Sequence, residues 1–512
     1  MAKTFRRASQ AFFLLLFIVL FLKTESLGEN VLGPPVRLFL DADPLLWLTT
    51  LLATRSLTHF WSLALITLVL TALLGRVFCG WICPLGTLHD LTGRFAGAPR
   101  RPIGWFGVKY LLLLFILAAS VFTLQPAGLF DPLTLTVRSF ALSLYPAFSH
   151  AVSALFDALY AAQLPVVTDL AEALYGLLKK TLLPFRPPQF HQAFFLGALF
   201  LAILALNFRE RRFWCRYLCP LGALLGICSR HALLSPSVSE GCNDCGACAA
   251  VCPAAAGKAA GEGRMGAECI ACMNCDDLCP QTAVRFGFSR KGAAAFDLGR
   301  RRIVASLVAG AAAVPLVRIT PLAKAQAADP LLIRPPGALA EADFLRRCVK
   351  CGECMKVCLT GGLQPALREG GLEGLWTPVL VPRIGYCEYN CTLCGQVCPT
   401  GAITKLAPEV KRQVKIGLAM IDPGRCLPYA HGVPCLVCQE VCPTPQKAIR
   451  LEEATVGDAT GKRGIIKQPH VDLKLCIGCG ICETQCPVHG RPAIAVTSLN
   501  ESRSPDQQLL LN

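Results

Sequence analysis

Long apolar runs separated by short polar stretches organise the first three fifths of the chain, whereas the remainder is polar, turn-rich and carries no run of comparable length. Runs approaching the roughly 20 residues of a membrane-spanning helix cover 11–22, 57–78, 106–124 and 192–208, and a fifth, 303–319, follows Arg300, Arg301 and Arg302. The pattern predicts a membrane α-helical bundle of about five spans with smaller α+β modules on both faces. The first run follows Lys3, Arg6 and Arg7 without a small-residue cleavage site behind it, so it reads as a retained helix. Residues 145–189 read as apolar, sparsely charged helices at the outer interface or against the bundle.

Lys and Arg near the span ends set the orientation. The stretch 209–302 carries Arg209, Arg211, Arg212, Arg216, Arg230, Lys258, Arg264, Arg285, Arg290, Lys291 and the Arg triplet, which assigns it to the cytoplasm. Counting spans from there leaves the N-terminus inside and everything after about residue 320 outside. A charged fraction of 16% with mean hydropathy +0.48 excludes a disordered chain. The net charge of +16 does not point to nucleic acid, because the basic residues flank apolar runs instead of clustering with aromatics on a soluble face.

The spans repeat. Asp43-Pro44-Leu45 precedes a span ending Arg76-Val-Phe-Cys79-Gly-Trp-Ile-Cys83-Pro84-Leu85-Gly86, and Asp131-Pro132-Leu133 precedes, at a longer distance, Arg212-Phe-Trp-Cys215-Arg-Tyr-Leu-Cys219-Pro220-Leu221-Gly222. A pair at i and i+4 puts both thiols on one helical face. Two pairs brought together by pseudo-symmetry offer four sulfurs, a redox site at Cys79, Cys83, Cys215 and Cys219 that suits additional iron or a redox dithiol. The competing reading is four small buried residues. Cys228 stands alone and reads as core, while His89, Asp90 and His231 lie near the cytoplasmic ends of spans, where they could relay protons but where polar residues are usually just solvated.

Behind the fourth span come Cys242, Cys245, Cys248, Cys252 and then Cys269, Cys272, Cys275, Cys279, both in the C-x2-C-x2-C-x3-C-P run of bacterial ferredoxins. In that run the fourth Cys ligates the other cluster, so Cys242, Cys245, Cys248 and Cys279 hold one [4Fe-4S] and Cys269, Cys272, Cys275 and Cys252 the second. Four further sets follow: Cys348, Cys351, Cys354, Cys358; Cys387, Cys391, Cys394, Cys398; Cys426, Cys435, Cys438, Cys442; and Cys476, Cys479, Cys482, Cys486. The middle two have a widened first gap, and Leu359 stands where Pro is usual after the first. A third Cys at x2 and a fourth before Pro fit a cubane better than zinc. A disulfide framework would not repeat the same spacing four times. Six clusters take 24 of the 29 cysteines. No strand–Gly-x-Gly-x-x-Gly–helix fingerprint is present, so no NAD or flavin site is readable.

Residues 1 to about 290 resemble the NapH family of membrane ferredoxin proteins through the twin Cys-x3-Cys-Pro elements ahead of a two-cluster ferredoxin. Residues from about 296 to 495 resemble the NapG/MauM family of exported four-cluster ferredoxins, including Arg334-Pro335-Pro336-Gly337-Ala338-Leu339 ahead of Cys348. The expected units are 1–233, a four-span membrane domain; 234–289, a cytoplasmic two-cluster ferredoxin; 290–330, a twin-arginine-like transmembrane linker; 331–500, a periplasmic four-cluster ferredoxin; and 501–512, a tail. The plain alternative for the linker is a stop-transfer flank. The resemblance implies an inner-membrane menaquinol dehydrogenase component, in contact with lipid and the quinone pool, that passes electrons to a periplasmic reductase or c-type cytochrome. Two other roles fit the same motifs: ferredoxin-to-quinone transfer from a cytoplasmic ferredoxin, and an accessory protein that reduces a metal centre during maturation.

Overall fold

The computed structural model describes residues 2–25, 30–33, 35–56, 61–95, 104–161, 165–184, 187–239, 241–256, 266–288, 298–319, 330–457 and 463–503. The expected residues Lys258, Arg264, Arg290 and Lys291, and most of the tail, lie outside them. Helices dominate as far as 231, and the rest is built from short helical turns and two-stranded antiparallel sheets.

Among the described residues, two helices are long and apolar enough to cross a membrane, Lys3–Lys23 and Pro132–Ala161. The first falls on an expected span. The second does not: its start is the Asp131-Pro132-Leu133 element, and its far half overlaps the segment read as interfacial. The other expected spans fold as shorter apolar helices, Trp61–Leu74, Gly107–Val121 and Ala193–Ala205, joined by Pro44–Thr54, which no span anticipated. Among the described residues five full-length spans are therefore not formed. The cause is local, because Gly75 at φ +76° ends one run early and Pro44 starts a helix inside what reads as a loop. The linker helix Arg300–Ile319 begins at the Arg triplet and lies along Gly107–Val121. Ser306 Oγ donates to Leu111 O at 2.5 Å, and a Cβ on Gly310 would sit 2.4 Å from Phe115 O, an approach that only Gly permits.

Two cysteine-rich modules close opposite ends of this bundle. The helix Ala2–Lys23 meets both ends: Gln10 Nε2 donates to Gly80 O at 2.9 Å, and eleven residues on, Lys356 Nζ donates to Phe21 O at 2.7 Å. Gly107–Val121 repeats the arrangement, with Tyr110 OH donating to Glu268 at 2.7 Å near its start and Gln125, just past its end, accepting from Lys350 Nζ at 3.5 Å. Residues 234–288 form the central module, held by the sheet of Leu234–Val238 with Val284–Phe288. The C-terminal module, 330–503, uses Leu363–Pro365 with Pro378–Leu380, Leu418–Ile421 with Ile494–Thr497, and Ile449–Gly457 with Arg463–Val471. Its helix Glu341–Arg347 packs on Pro44–Thr54.

Candidate functional site

In the C-terminal module the cysteines gather by fours, in combinations that cross between motifs. Cys348, Cys351, Cys354 and Cys398 line one cavity, Cys358, Cys387, Cys391 and Cys394 a second, and Cys426, Cys435, Cys438 and Cys486 a third. Each takes three thiols from one motif and the last thiol of a neighbour. The remaining set, Cys476, Cys479, Cys482 and Cys442, also lies together, since Cys442 acts electrostatically on the other three. Motif one is thus interlocked with two, and three with four. In the central module Cys252 neighbours Cys269 and Cys272, as the ferredoxin rule requires. None of the 29 cysteines forms a disulfide. Among the described residues no three ligand side chains converge on one point as those of a single ion do. Thiols spread around a cavity suit a cubane, whose irons occupy separate corners.

The backbone builds these cages from tight turns. Gly352 and Gly480, at φ +85°, each precede a helical turn carrying the third Cys of a motif, and each abuts a neighbour, Leu142 and Pro382 respectively. The phrase around Arg334 is scaffold. Arg334 is buried, donates to Thr377 Oγ1 and Pro378 O at 2.8 Å and to both oxygens of Glu341, and stacks on Phe344 at 4.6 Å. Burial raises the Glu341 carboxyl, but Arg334 and Arg503 outweigh it and hold the group down at about 2.

Cys79, Cys83, Cys215 and Cys219 all line one chamber between the bundle and the central module. They do not reach it from one helical face. Phe78–Ile82 is a turn of π-helix carrying Cys79, and Cys83 is already extended at φ −60°, ψ 120°, capping Pro84–Thr92. Cys219 likewise caps Pro220–Cys228 at φ −74°, ψ 107°, where its Sγ accepts the Gly222 N–H at 3.2 Å. The proline after each Cys forbids the α region to the residue before it. The first thiol of each pair therefore ends one element and the second begins the next.

Two buried arginines cross the chamber. Arg212 of the second copy donates to Cys79 O at 3.1 Å beside Gly86 of the first, and Arg76 of the first approaches Gly222 of the second, where a Cβ would lie 2.7 Å from its Nη2. Arg76 is paired with Glu268 at 3.0 Å, and Arg212 with Asp90 at 2.6 Å. Two guanidiniums therefore lie beside the four thiols, each already paired with a carboxylate. The motif spelling already showed an Arg three places before each first Cys, but its reach across the pseudo-dyad was not legible. His89 and Asp90 are structural here, His89 bonded to Asn207 at 2.7 Å. His231 is exposed, and Cys228 is half-buried apart from the chamber.

The chamber adjoins the central module and is linked to the C-terminal module by one helix. Cys79 packs with Cys252, Ala254, Ile270 and Cys272 of the central module. On its other side Pro132 lines it, and six residues along the same helix, about 9 Å at helical rise, Arg138 donates to Lys350 O beside Cys351. Arg138 also stacks on Trp376 at 4.4 Å, and Trp376 lines the Cys348 cage.

A family of 4Fe-4S binding domains matches residues 58–104, 190–236 and 394–417, the first two containing the chamber cysteines, and a 4Fe-4S dicluster domain matches 433–489. The methylamine utilization ferredoxin-type protein MauM of Methylorubrum extorquens is 41% identical over 176 residues, 34% of this chain and 75% of MauM. The ferredoxin-type protein NapG of Escherichia coli K12 is 35% identical over 206 residues, 40% of this chain and 87% of NapG. YccM of the same organism is 34% identical over 226 residues, and the chain spans about half of its length. No solved structure matches.

Proposed function

We propose, because the chain belongs to the MauM and NapG family of ferredoxin-type proteins, that this iron-sulfur electron-transfer protein oxidises menaquinol within its bundle and delivers the electrons to a periplasmic reductase or c-type cytochrome. The observation that carries the reading is the chamber of Cys79, Cys83, Cys215 and Cys219 lying between two ferredoxin modules at opposite ends of one bundle. In this reading the N-terminal part is a NapH-type membrane protein fused to a NapG-type one, anchored as a multi-pass inner-membrane protein with residues 331–500 periplasmic. Arg300 and Arg301 serve as an uncleaved twin-arginine signal, so that the C-terminal module is exported folded, with its clusters inserted in the reducing cytoplasm.

Clusters bound in the six motifs supply one-electron transfer. The chain's own residues do the rest. The C-terminal cages hold their thiols buried or half-buried, whereas Cys242 and Cys245 of the central module are exposed; Arg76 and Arg212 balance negative charge in the chamber, and Pro132–Ser139 spans from the chamber to the Cys348 cage. Outward electron flow from a negative cytoplasm is assisted by about 2.3 kcal/mol per 100 mV. The same contact of Cys79 with Cys252 and Cys272 favours a second reading, in which a cytoplasmic ferredoxin feeds the chamber through the central module.

Cys83→Ser and Cys219→Ser test the proposal. Both should leave the six motif clusters spectroscopically intact and reducible by dithionite, yet slow menaquinol-driven reduction of the C-terminal clusters by an order of magnitude or more, about 1.4 kcal/mol or more of lost coupling. Normal quinol turnover in both variants would reduce the chamber to packing.

A further inference from the structure

The aspartates that open the two copies of the repeat, Asp43 and Asp131, meet inside the bundle, and both are fully buried. Each caps a helix. Asp43 Oδ1 accepts the N–H groups of Leu45 at 2.7 Å and Leu46 at 3.2 Å, and Asp131 Oδ2 those of Leu133 at 3.0 Å and Thr134 at 2.8 Å. The two carboxyl groups are immediate neighbours. The second oxygen of each, Asp43 Oδ2 and Asp131 Oδ1, receives no donor from any other described group.

An ionised carboxylate is acceptor-only, so two of them hydrogen-bond only when the pair holds a proton. Among the described residues no neighbouring cation donates a hydrogen bond to either carboxyl. Arg138, on the helix of Asp131, lies near enough for its charge to act on that carboxylate, but its Nη1 is spent on Gly128 O and Lys350 O. Arg37 and Asp41, on the adjacent helix, pair with each other at 3.4 Å. On Pro84–Thr92, His89 is held by Asn207 and Asp90 by Arg212 and Arg6. Lys350 of the C-terminal module reaches Gln125 O. Capping alone does not explain the residue type either, because Asn or Ser caps a helix as well as Asp and brings no charge into the interior. The pair lies next to Pro132, which lines the four-cysteine chamber.

We infer that Asp43 and Asp131 share one proton and form the internal proton-binding site of the bundle, taking up a second proton from water when the chamber gains an electron and returning it when the electron leaves. Charge balances, because each added electron is matched by one proton on the carboxyl pair. The coupling rests on the electron-transfer reading above, whereas the shared proton does not.

The test is infrared spectroscopy of the full-length protein in lipid nanodiscs, with pH-dependent redox titration of the same samples. The wild type should show the carbonyl stretch of a protonated carboxyl, shifted in D2O, and both Asp43→Asn and Asp131→Asn should abolish it. Asn keeps the cap acceptor, so both variants fold, which the absorbance of the motif clusters reports. The chamber midpoint should follow pH by one proton per electron in the wild type and lose that dependence in both variants. A wild type without the band, or a band that survives both substitutions, overturns the shared proton. A band with a pH-independent midpoint overturns the coupling alone, and a chamber without any redox signal defeats the electron-transfer reading and the coupling together while the band still decides the proton.

Discussion

At the scale of single residues, the chemistry of this chain is set by where charge is enclosed. Arg334 is 1% exposed, with its guanidinium committed to Glu341, Thr377 and Pro378. Removing one partner of such a buried pair costs about 3 to 5 kcal/mol, so Arg334→Met should lower the thermal stability of the C-terminal module sharply, as read by loss of cluster absorbance on heating. Glu341 adds a pH signature. Its carboxyl sits at about 2 when folded and near the ordinary value of roughly 4.3 when unfolded. Its stabilising contribution is therefore complete above about pH 4.3 and disappears as pH falls through about 2. Glu341→Gln should lower stability at pH 7 and flatten that acid window, and an unchanged acid profile would mean that other carboxylates govern it. The cage cysteines were legible at this scale because three thiols at fixed spacing declare a cluster before any fold is known. The pairing of the four C-terminal motifs was not, since it depends on which turns lie side by side. The helical-face reading of the Cys pairs failed for a reason written in the chain, the proline after Cys83 and after Cys219.

Among elements, the decisive contacts are glycines where one backbone lies on another. A Cβ on Gly128 would fall 1.9 Å from Val349 O, at the seam where Arg138 and Lys350 join the bundle to the C-terminal module. Gly128→Val should therefore pry this module from the helix Pro132–Ser139 while leaving its cages whole. The expected result is a full complement of motif clusters by absorbance, with electron transfer from the chamber to them slowed by at least about tenfold, or about 1.4 kcal/mol. Unaltered transfer would put the route elsewhere. Apolar periodicity found most helices but misjudged their lengths, since hydropathy counts residues and does not see a Gly at positive φ or a Pro that starts a second helix. Pro44–Thr54 and Pro132–Ser139, whose capping residues form the acid pair, were visible only as a repeated tripeptide.

For the whole molecule, the predictions concern cofactor load and sidedness. Anaerobically purified protein should contain about 24 iron atoms per chain from six cubanes, and a reproducible excess would place iron in the chamber. About eight would leave the C-terminal cysteines without clusters. A reporter fused after Asn512 should be active only outside the cytoplasm and one fused after Phe288 only inside; the same side for both would sink outward transfer. The helix Ala2–Lys23 carries one more consequence. Only eleven residues separate Gln10, at the central-module end, from Phe21, bonded to Lys356 of the C-terminal module, a rise of about 16 Å. The hydrocarbon layer of a bilayer is about 30 Å thick. On the membrane reading proposed above, a protein so waisted would pinch the lipid around it or sink its modules toward the acyl chains, and in either case the insulating layer that electrons would cross is thinned to about half.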